Sequence, residues 1–166
     1  LQAIAEDDPV LFFEPKALYQ ESCEVPDEMY TLPFGEAAIV REGDDCTVVA
    51  FGQMVGRAAA AVDALAEEGI TCDLIDPRTS SPLDTATILE SVEATGHLVV
   101  VDESPPRCGL TADIAALAAD KAFHSLKGPV KQVCAPHSPT PFSPELEAAY
   151  LPTPDKIMAA IRESMA

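Results

Sequence analysis

No stretch of this 166-residue chain holds the ~18 consecutive apolar residues that a membrane-spanning helix needs. No charged-then-apolar signal peptide opens it either. The expectation is a cytoplasmic protein with no membrane partner. Cations are scarce: ten Lys and Arg stand against 28 Asp and Glu, for a formal net charge of −18. Nucleic-acid binding rests on neutralising phosphates with Lys and Arg, so nucleic acid is excluded as a partner. The acids are unevenly placed, and residues 1–45 carry only Lys16 and Arg41 against twelve of them. Such a surface either keeps the chain soluble or steers a basic partner domain toward it.

Cysteine supplies no framework. The five residues (Cys23, Cys46, Cys72, Cys108 and Cys134) are odd in number, widely spaced and never arranged as C-x-x-C. In a cytoplasmic chain they read as reduced structural thiols. Cys108, beside Arg107 and ahead of a predicted helix start, is the one placed for reactivity. The signatures of common catalysts are missing too. The turn Gly52-Gln53-Met54-Val55-Gly56 is not G-x-G-x-x-G, and there is no Walker loop, no G-x-S-x-G and no H-E-x-x-H. His97, His124 and His137 share no metal-ligand spacing. Dinucleotide, ATP and zinc enzymes find no support.

What is present is a regular alternation. Ala38–Arg41 reads as an edge strand, and Cys46–Phe51 as a strand covered on both faces. Met54, Val55, Ala58, Val62 and Leu65 recur at helical spacing, with Gly69 as the stop. Ile70–Asp76 returns to strand. Asp84 caps a helix through Ile88, Leu89 and Val92 that ends at Gly96. His97–Asp102 is a third buried strand, and Leu110, Ile114, Leu117 and Ala118 mark a helix to about Phe123. Gly128-Pro129 breaks it before a strand over Val130–Cys134. Strand–helix alternation of this kind predicts an α/β domain of three layers, with a mostly parallel sheet flanked by helices.

The two ends differ in texture. Pro9-Val10-Leu11-Phe12-Phe13-Glu14 is a short apolar run that reads as a buried strand, far from the next one. With the opening at Leu1 in mid-pattern, it suggests the last strand of a domain lying upstream, and a chain that is cut. Seven prolines fall between Pro129 and Pro154, so Ala135–Phe142 reads as a rigid, packed surface loop. Thr153-Pro154 then starts a closing helix through Ile157, Met158, Ile161 and Met165.

Two places invite chemistry. The turn Asp102-Glu103-Ser104-Pro105-Pro106-Arg107-Cys108-Gly109 leads into a helix whose N–H groups, with Arg107, suit a small anion. The plainer reading is a solvated loop in which Arg107 pairs with Glu103 or Asp102. His137 is a general base only if a nucleophile and an orienting carboxylate accompany it, and the sequence places neither.

The combination of segments points further. Asp8–Tyr19 (DPVLFFEPKALY) resembles the closing strand of the pyrimidine-binding domain in beta subunits of thiamine-diphosphate-dependent 2-oxo acid and acetoin dehydrogenases. Tyr30–Gly35 (YTLPFG) resembles the connector that follows it. Asp76–Asp84 (DPRTSSPLD) is similar to that family's D-L-R-T-x-x-P-L-D turn, with Pro77 in place of Leu. Ala135–Phe142 (APHSPTPF) and Tyr150-Leu151-Pro152 match as well, so the resemblance covers the chain in order. Asp102-Glu103, Pro106-Arg107-Cys108 and Pro141–Pro144 with Leu146-Glu147 are most similar to acetoin dehydrogenase, with pyruvate and branched-chain members still open.

The resemblance implies that residues 1–35 are the end of the upstream domain plus the connector, and residues 36–166 a transketolase-type carboxy-terminal domain. It implies an alpha subunit, a second beta subunit and a lipoyl acyltransferase core as partners. Thiamine diphosphate and magnesium would be bound by the heterotetramer, with none expected in this part. Because the family's catalytic glutamate lies upstream and its diphosphate and magnesium ligands lie in the alpha subunit, the expectation here is no catalytic, cofactor-binding or metal residue. The role left is assembly. Two other readings compete: a free-standing regulatory module binding a small anion at Arg107–Gly109, and a cysteine enzyme using Cys108.

Overall fold

The computed structural model describes residues 1–166. Five strands form one sheet: β1 (Ala38–Arg41), β2 (Cys46–Ala50), β3 (Cys72–Asp76), β4 (Leu98–Val101) and β5 (Lys131–Val133), in the order β1-β3-β2-β4-β5. The pairs β2–β3, β2–β4 and β4–β5 are parallel, and only β1 runs antiparallel, at the edge against β3. The helices are α1 (Gln2–Ala5), α2 (Met54–Glu67), α3 (Thr85–Thr95), α4 (Leu110–Lys121), α5 (Pro144–Tyr150) and α6 (Pro154–Ser164). This is the three-layer α/β domain that the alternation predicts.

Side-chain alternation builds two cores from one sheet. Cys46, Val48 and Ala50 of β2, with Leu74, Val99, Val101 and Val133, pack under α2 and α6. Val49, Ile75, Leu98 and Val100 pack under α3 and α4. Each helix answers with a stripe at helical spacing: Met54, Ala58, Ala61, Val62 and Leu65 on α2, and Ile157 and Ile161 on α6. Thr47 is the one polar residue of β2 and is fully buried. Its hydroxyl lies 2.7 Å from Ser91 Oγ and 2.9 Å from Thr95 Oγ1, one turn apart on α3, and Ser91 donates to Asp73 at 2.6 Å. No buried side-chain polar atom is left unpartnered, as burial of polar groups requires.

The turn chemistry follows the sequence closely. Asp84 caps α3, and Gly96 ends it in the left-handed region at φ 85°. Thr153 caps α6 with Pro154 in its first turn. A helix that periodicity does not announce is α5, where Ser143 accepts from Leu146 N at 3.3 Å and Pro144 opens the turn. The Ser-Pro pair is its start signal.

Two expectations fail. Residues 9–14 form no strand: they run without regular structure, with Leu11, Phe12 and Phe13 at 86%, 73% and 85% exposure. A strand needs a neighbour for its N–H and C=O groups, and the five strands here leave none beside this segment. The Pro-rich loop is not packed either. From residue 136 to 140 it is exposed, and Phe142 is fully so. Only Ala135 is buried, and Tyr150 holds the loop by donating to the Ser138 carbonyl at 3.0 Å.

Candidate functional site

Parallel α/β sheets place ligands outside the carboxyl ends of their strands, where the chain order reverses. Here that point lies between β2 and β4, because the chain leaves β2 toward β3 on one side and β4 toward β5 on the other. The loops rising from it are Phe51-Gly52-Gln53 and Asp102-Glu103-Ser104. Gln53 donates to Glu103 and joins the two loops, while Ser104 donates to Asp102 within the second. Gly52 takes φ 53°, and a β-carbon there would meet Pro15 Cγ at 3.4 Å. The 3-10 turn Lys16–Leu18 thus sits over the reversal point. Between them lies a cleft of about 320 Å³, whose charged lining residues are Lys16, Glu103 and Glu147.

The electrostatics of this end are wrong for an anion. Gly109 starts α4 without a side-chain cap, and Cys108 before it takes φ 55°. The turn folds back so that a β-carbon on Gly109 would meet Pro105 O at 2.9 Å and Ser104 Oγ at 3.0 Å. Asp102 and Glu103 precede that turn and Asp113 stands in the first turn of α4. Arg107 is exposed and pairs with neither Asp102 nor Glu103, which are bonded to Ser104 and Gln53 instead. The expected ion pair is therefore corrected. An anion here would face three carboxylates and one exposed guanidinium, and the small-anion alternative is not favoured.

The other chemical candidates stay apart. Cys108 is exposed and hydrogen-bonds to no base. Cys134, at the end of β5, is pushed up by burial; Asp102 pushes the same way, against a contact from Thr111 at 3.3 Å. His97 Nδ1 lies 2.6 Å from the Ser164 carbonyl, His124 stacks edge-on against Phe123, and His137 sits exposed in the Pro-rich loop. No three His, Cys, Asp or Glu side chains converge on a metal position.

The most densely bonded polar feature is a clamp that sequence reasoning noted only as a motif. The turn Asp76–Asp84 grips residues 35–37 ahead of β1. Thr79 Oγ1 accepts from Gly35 N at 3.0 Å and donates to the Pro82 carbonyl at 2.7 Å. Asp84 accepts from Ala37 N at 2.9 Å, Thr87 N at 3.1 Å and Thr87 Oγ1 at 2.7 Å. Partial burial raises the Asp84 carboxyl, but the hydrogen bonds from Ala37, Thr87 and Ala86 outweigh it and hold it below the ordinary carboxylate value. Gly35, at φ 79°, lets the chain pass Pro82 Cγ, which a β-carbon would approach to 3.2 Å. Where the resemblance is to the motif D-L-R-T-x-x-P-L-D, the structure shows what Thr79, Pro82 and Asp84 do: they fix the path of residues 35–37 ahead of β1.

The comparisons agree with this geometry. Residues 35–157 match the family described as transketolase, C-terminal domain. The chain is 53% identical over 165 residues to the acetoin:2,6-dichlorophenolindophenol oxidoreductase subunit beta of Cupriavidus necator, covering 99% of this chain and 49% of that one. It is 42% identical over 166 residues to the pyruvate dehydrogenase E1 component subunit beta of Leifsonia xyli subsp. xyli, covering 99% and 49%. The chain thus spans about half the length of these curated relatives. A solved split-gene transketolase, described as an inactive beta4 tetramer, superposes with a TM-score of 0.74 at 26% identity, over 87% of this chain and 46% of that one. The match begins at Gly35, where the clamp takes hold, and the chain belongs to the transketolase C-terminal domain family.

Proposed function

We propose that this chain is the carboxy-terminal part of the beta subunit of a thiamine-diphosphate-dependent dehydrogenase complex, and that its work there is assembly. The observation that carries the reading is 53% identity, maintained across essentially the whole chain, to half of an acetoin oxidoreductase beta subunit. Acetoin is favoured over pyruvate because the identity to the pyruvate relative is lower, at 42%. The partners are an alpha subunit, a second beta subunit and a lipoyl acyltransferase core, in the cytoplasm. Consistent with that setting, no helix is long and apolar enough to cross a membrane.

Residues 1–35 are, in this reading, the closing segment of a preceding pyrimidine-binding domain and its connector. They contribute no strand and no buried residue, and they expose Leu11, Phe12 and Phe13 together. Apolar side chains grouped in this way mark a surface that another body covers. The resident residues do not fit thiamine diphosphate and magnesium. A diphosphate needs cations and free N–H groups, while the cleft at the strand ends presents Glu103 and Glu147 beside Lys16 alone. In this reading the cleft at the strand ends holds neither group.

The test is a chimera. The matching half of the Cupriavidus necator beta subunit is replaced by this chain and co-expressed with its alpha subunit, and acetoin-dependent reduction of 2,6-dichlorophenolindophenol is followed. The expected result is activity in the assembled chimera and none in the 166-residue chain alone. Turnover by the chain alone, or a folded chimera that fails to bind the alpha subunit, overturns the proposal.

A further inference from the structure

Cys46 opens β2 and Cys72 opens β3, and the two are directly opposed in the parallel register. Both side chains enter the core layer beneath α2 and α6, so they lie on the same face of the sheet. Neighbouring strands stand about 4.8 Å apart, inside the ~4.4–6.8 Å between α-carbons that a disulfide spans. Both thiols are free. Their spacing in the sequence gives no hint of this meeting, because the crossover helix α2 intervenes.

The pair also polarises itself. The Cys72 thiol is the largest influence on Cys46 and lowers it, burial opposes that, and Ser164 lowers it further. Cys72 in turn is pushed up, first by Cys46 and then by burial. Ionisation is directed to Cys46, and the thiolate is the reactive form. The sulfur is fully buried, and Ser164 Oγ, 3.7 Å from Cys46 Sγ, belongs to the last turn of α6. Helix ends open at small cost compared with the core.

We propose that Cys46 and Cys72 are a redox-active dithiol, a modification site that a hydroperoxide converts to a disulfide joining β2 to β3. The Cys46 thiolate attacks one peroxide oxygen and the O–O bond breaks. The departing oxygen takes a proton, leaving Cys46 as a sulfenic acid. The sulfur of Cys72 then attacks that of Cys46; the S–S bond forms, the S–O bond breaks, and the leaving hydroxide departs with the Cys72 proton as water. The two thiols lose two electrons and two protons in all, and the hydroperoxide is reduced by the same two electrons.

The test uses the full chain with Cys23, Cys108 and Cys134 changed to Ser, alongside the unaltered chain so that misfolding of the variant cannot hide the answer. Each is exposed to hydrogen peroxide, blocked with N-ethylmaleimide after unfolding, digested and mapped by mass spectrometry. The expected product is one cross-linked peptide joining Cys46 to Cys72, lighter by two hydrogens, reversed by dithiothreitol, with the melting temperature raised by several degrees while the bond is intact. Adding C72S to the triple-Ser chain should let dimedone trap Cys46, and adding C46S should leave Cys72 unlabelled. Recovery of both as maleimide adducts, after peroxide exposure that oxidises Cys23 in the unaltered chain, overturns the proposal. So does dimedone labelling of Cys72 in preference to Cys46.

Discussion

Asp84 joins two parts of the molecule through one carboxylate, so its replacement separates two effects that are usually confounded. Its Oδ1 caps α3 through Thr87 N, and its Oδ2 accepts from Ala37 N in the connector. Asp84→Ala removes both. Loss of an N-cap costs ~1 kcal/mol, and loss of a hydrogen bond to a charged group costs ~1.5–3 kcal/mol when the donor is buried. Asp84 and Ala37 are only half-buried, so the lower end applies and the expected loss is about 2–3 kcal/mol. For a chain of this length that corresponds to a fall of about 4–12 °C in Tm. Asp84→Asn keeps a capping oxygen but turns an amide nitrogen toward the Ala37 N–H or forfeits that bond. It should lose about half as much, near 1–1.5 kcal/mol.

Urea unfolding of the three chains at neutral pH measures this, and the pH dependence checks the charge. The Asp84 carboxyl lies below its ordinary value in the folded chain. Its contribution is therefore complete above the unfolded carboxylate value of about 3.9 and is lost as pH falls through the lower folded value. The gap between the native chain and Asp84→Asn should stay constant from neutral pH down to about 5 and narrow below about 4. If Asn matches the native chain within ~0.5 kcal/mol, or if the gap widens in acid, the clamp reading is refuted.

Five further outcomes follow from the packing and the charge. Ile161→Ala should destabilise by about 2–5 kcal/mol, because Ile161 is fully buried where α6 meets the sheet; urea midpoints show it. Thr47→Val, nearly isosteric, should cost about 1–3 kcal/mol, since Ser91 and Thr95 each lose a buried hydroxyl partner. Changing Leu11, Phe12 and Phe13 to Ser together should leave the Tm within about 2 °C, because all three are exposed in this chain. In the chimera described above the same triple change should abolish soluble assembly, read by gel filtration with the alpha subunit. Raising sodium chloride from low salt should raise the Tm: the net charge of −18 is self-repelling and is screened, while the four ion pairs, all at exposed or half-buried positions, contribute little to lose.

Where burial dictates the residues, the fold is legible from them. The run Cys46–Phe51 has to be a strand covered on both faces, and Asp84, Gly96 and Thr153-Pro154 place helix ends to within a residue of where they lie. The reading fails where a local pattern needs a partner that the chain does not provide. Pro9–Glu14 has the composition of a strand, yet strand formation is decided by pairing, and no edge of the sheet is beside it. The Pro-rich loop fails for the opposite reason: proline stiffens a backbone without giving it anything to pack against, and Phe142 is left in solvent. The clamp lay in plain view as a motif, but the bonds from Thr79 to Gly35 and from Asp84 to Ala37 span more than forty residues. No periodicity reports contacts of that range. The opposition of Cys46 and Cys72 is hidden in the same way, by a whole crossover.

The topology and the site tell different stories, and the difference bears on what this domain is for. Reversal of strand order between β2 and β4 opens a crevice in any sheet of this kind, and in α/β proteins that crevice is where ligands bind. Here the chain's own loops narrow the crevice to a cleft of about 320 Å³. Gln53 is tied to Glu103, Ser104 to Asp102, and Pro15 rests against Gly52 with Lys16 at the rim. The segment at its rim, Pro15–Ala17, belongs to residues 1–35, most of whose large apolar side chains stay in solvent. One end of that segment is thus committed to the domain through the reversal point and the Thr79–Asp84 clamp, while Leu11, Phe12 and Phe13 face outward. Pro15 at the reversal point, and Gly35 and Ala37 at the Thr79–Asp84 clamp, are two separate places where this segment is fastened to the domain. The two contacts tie residues 15–37 to the domain and leave Leu11, Phe12 and Phe13 exposed, which is the arrangement the proposed assembly role requires.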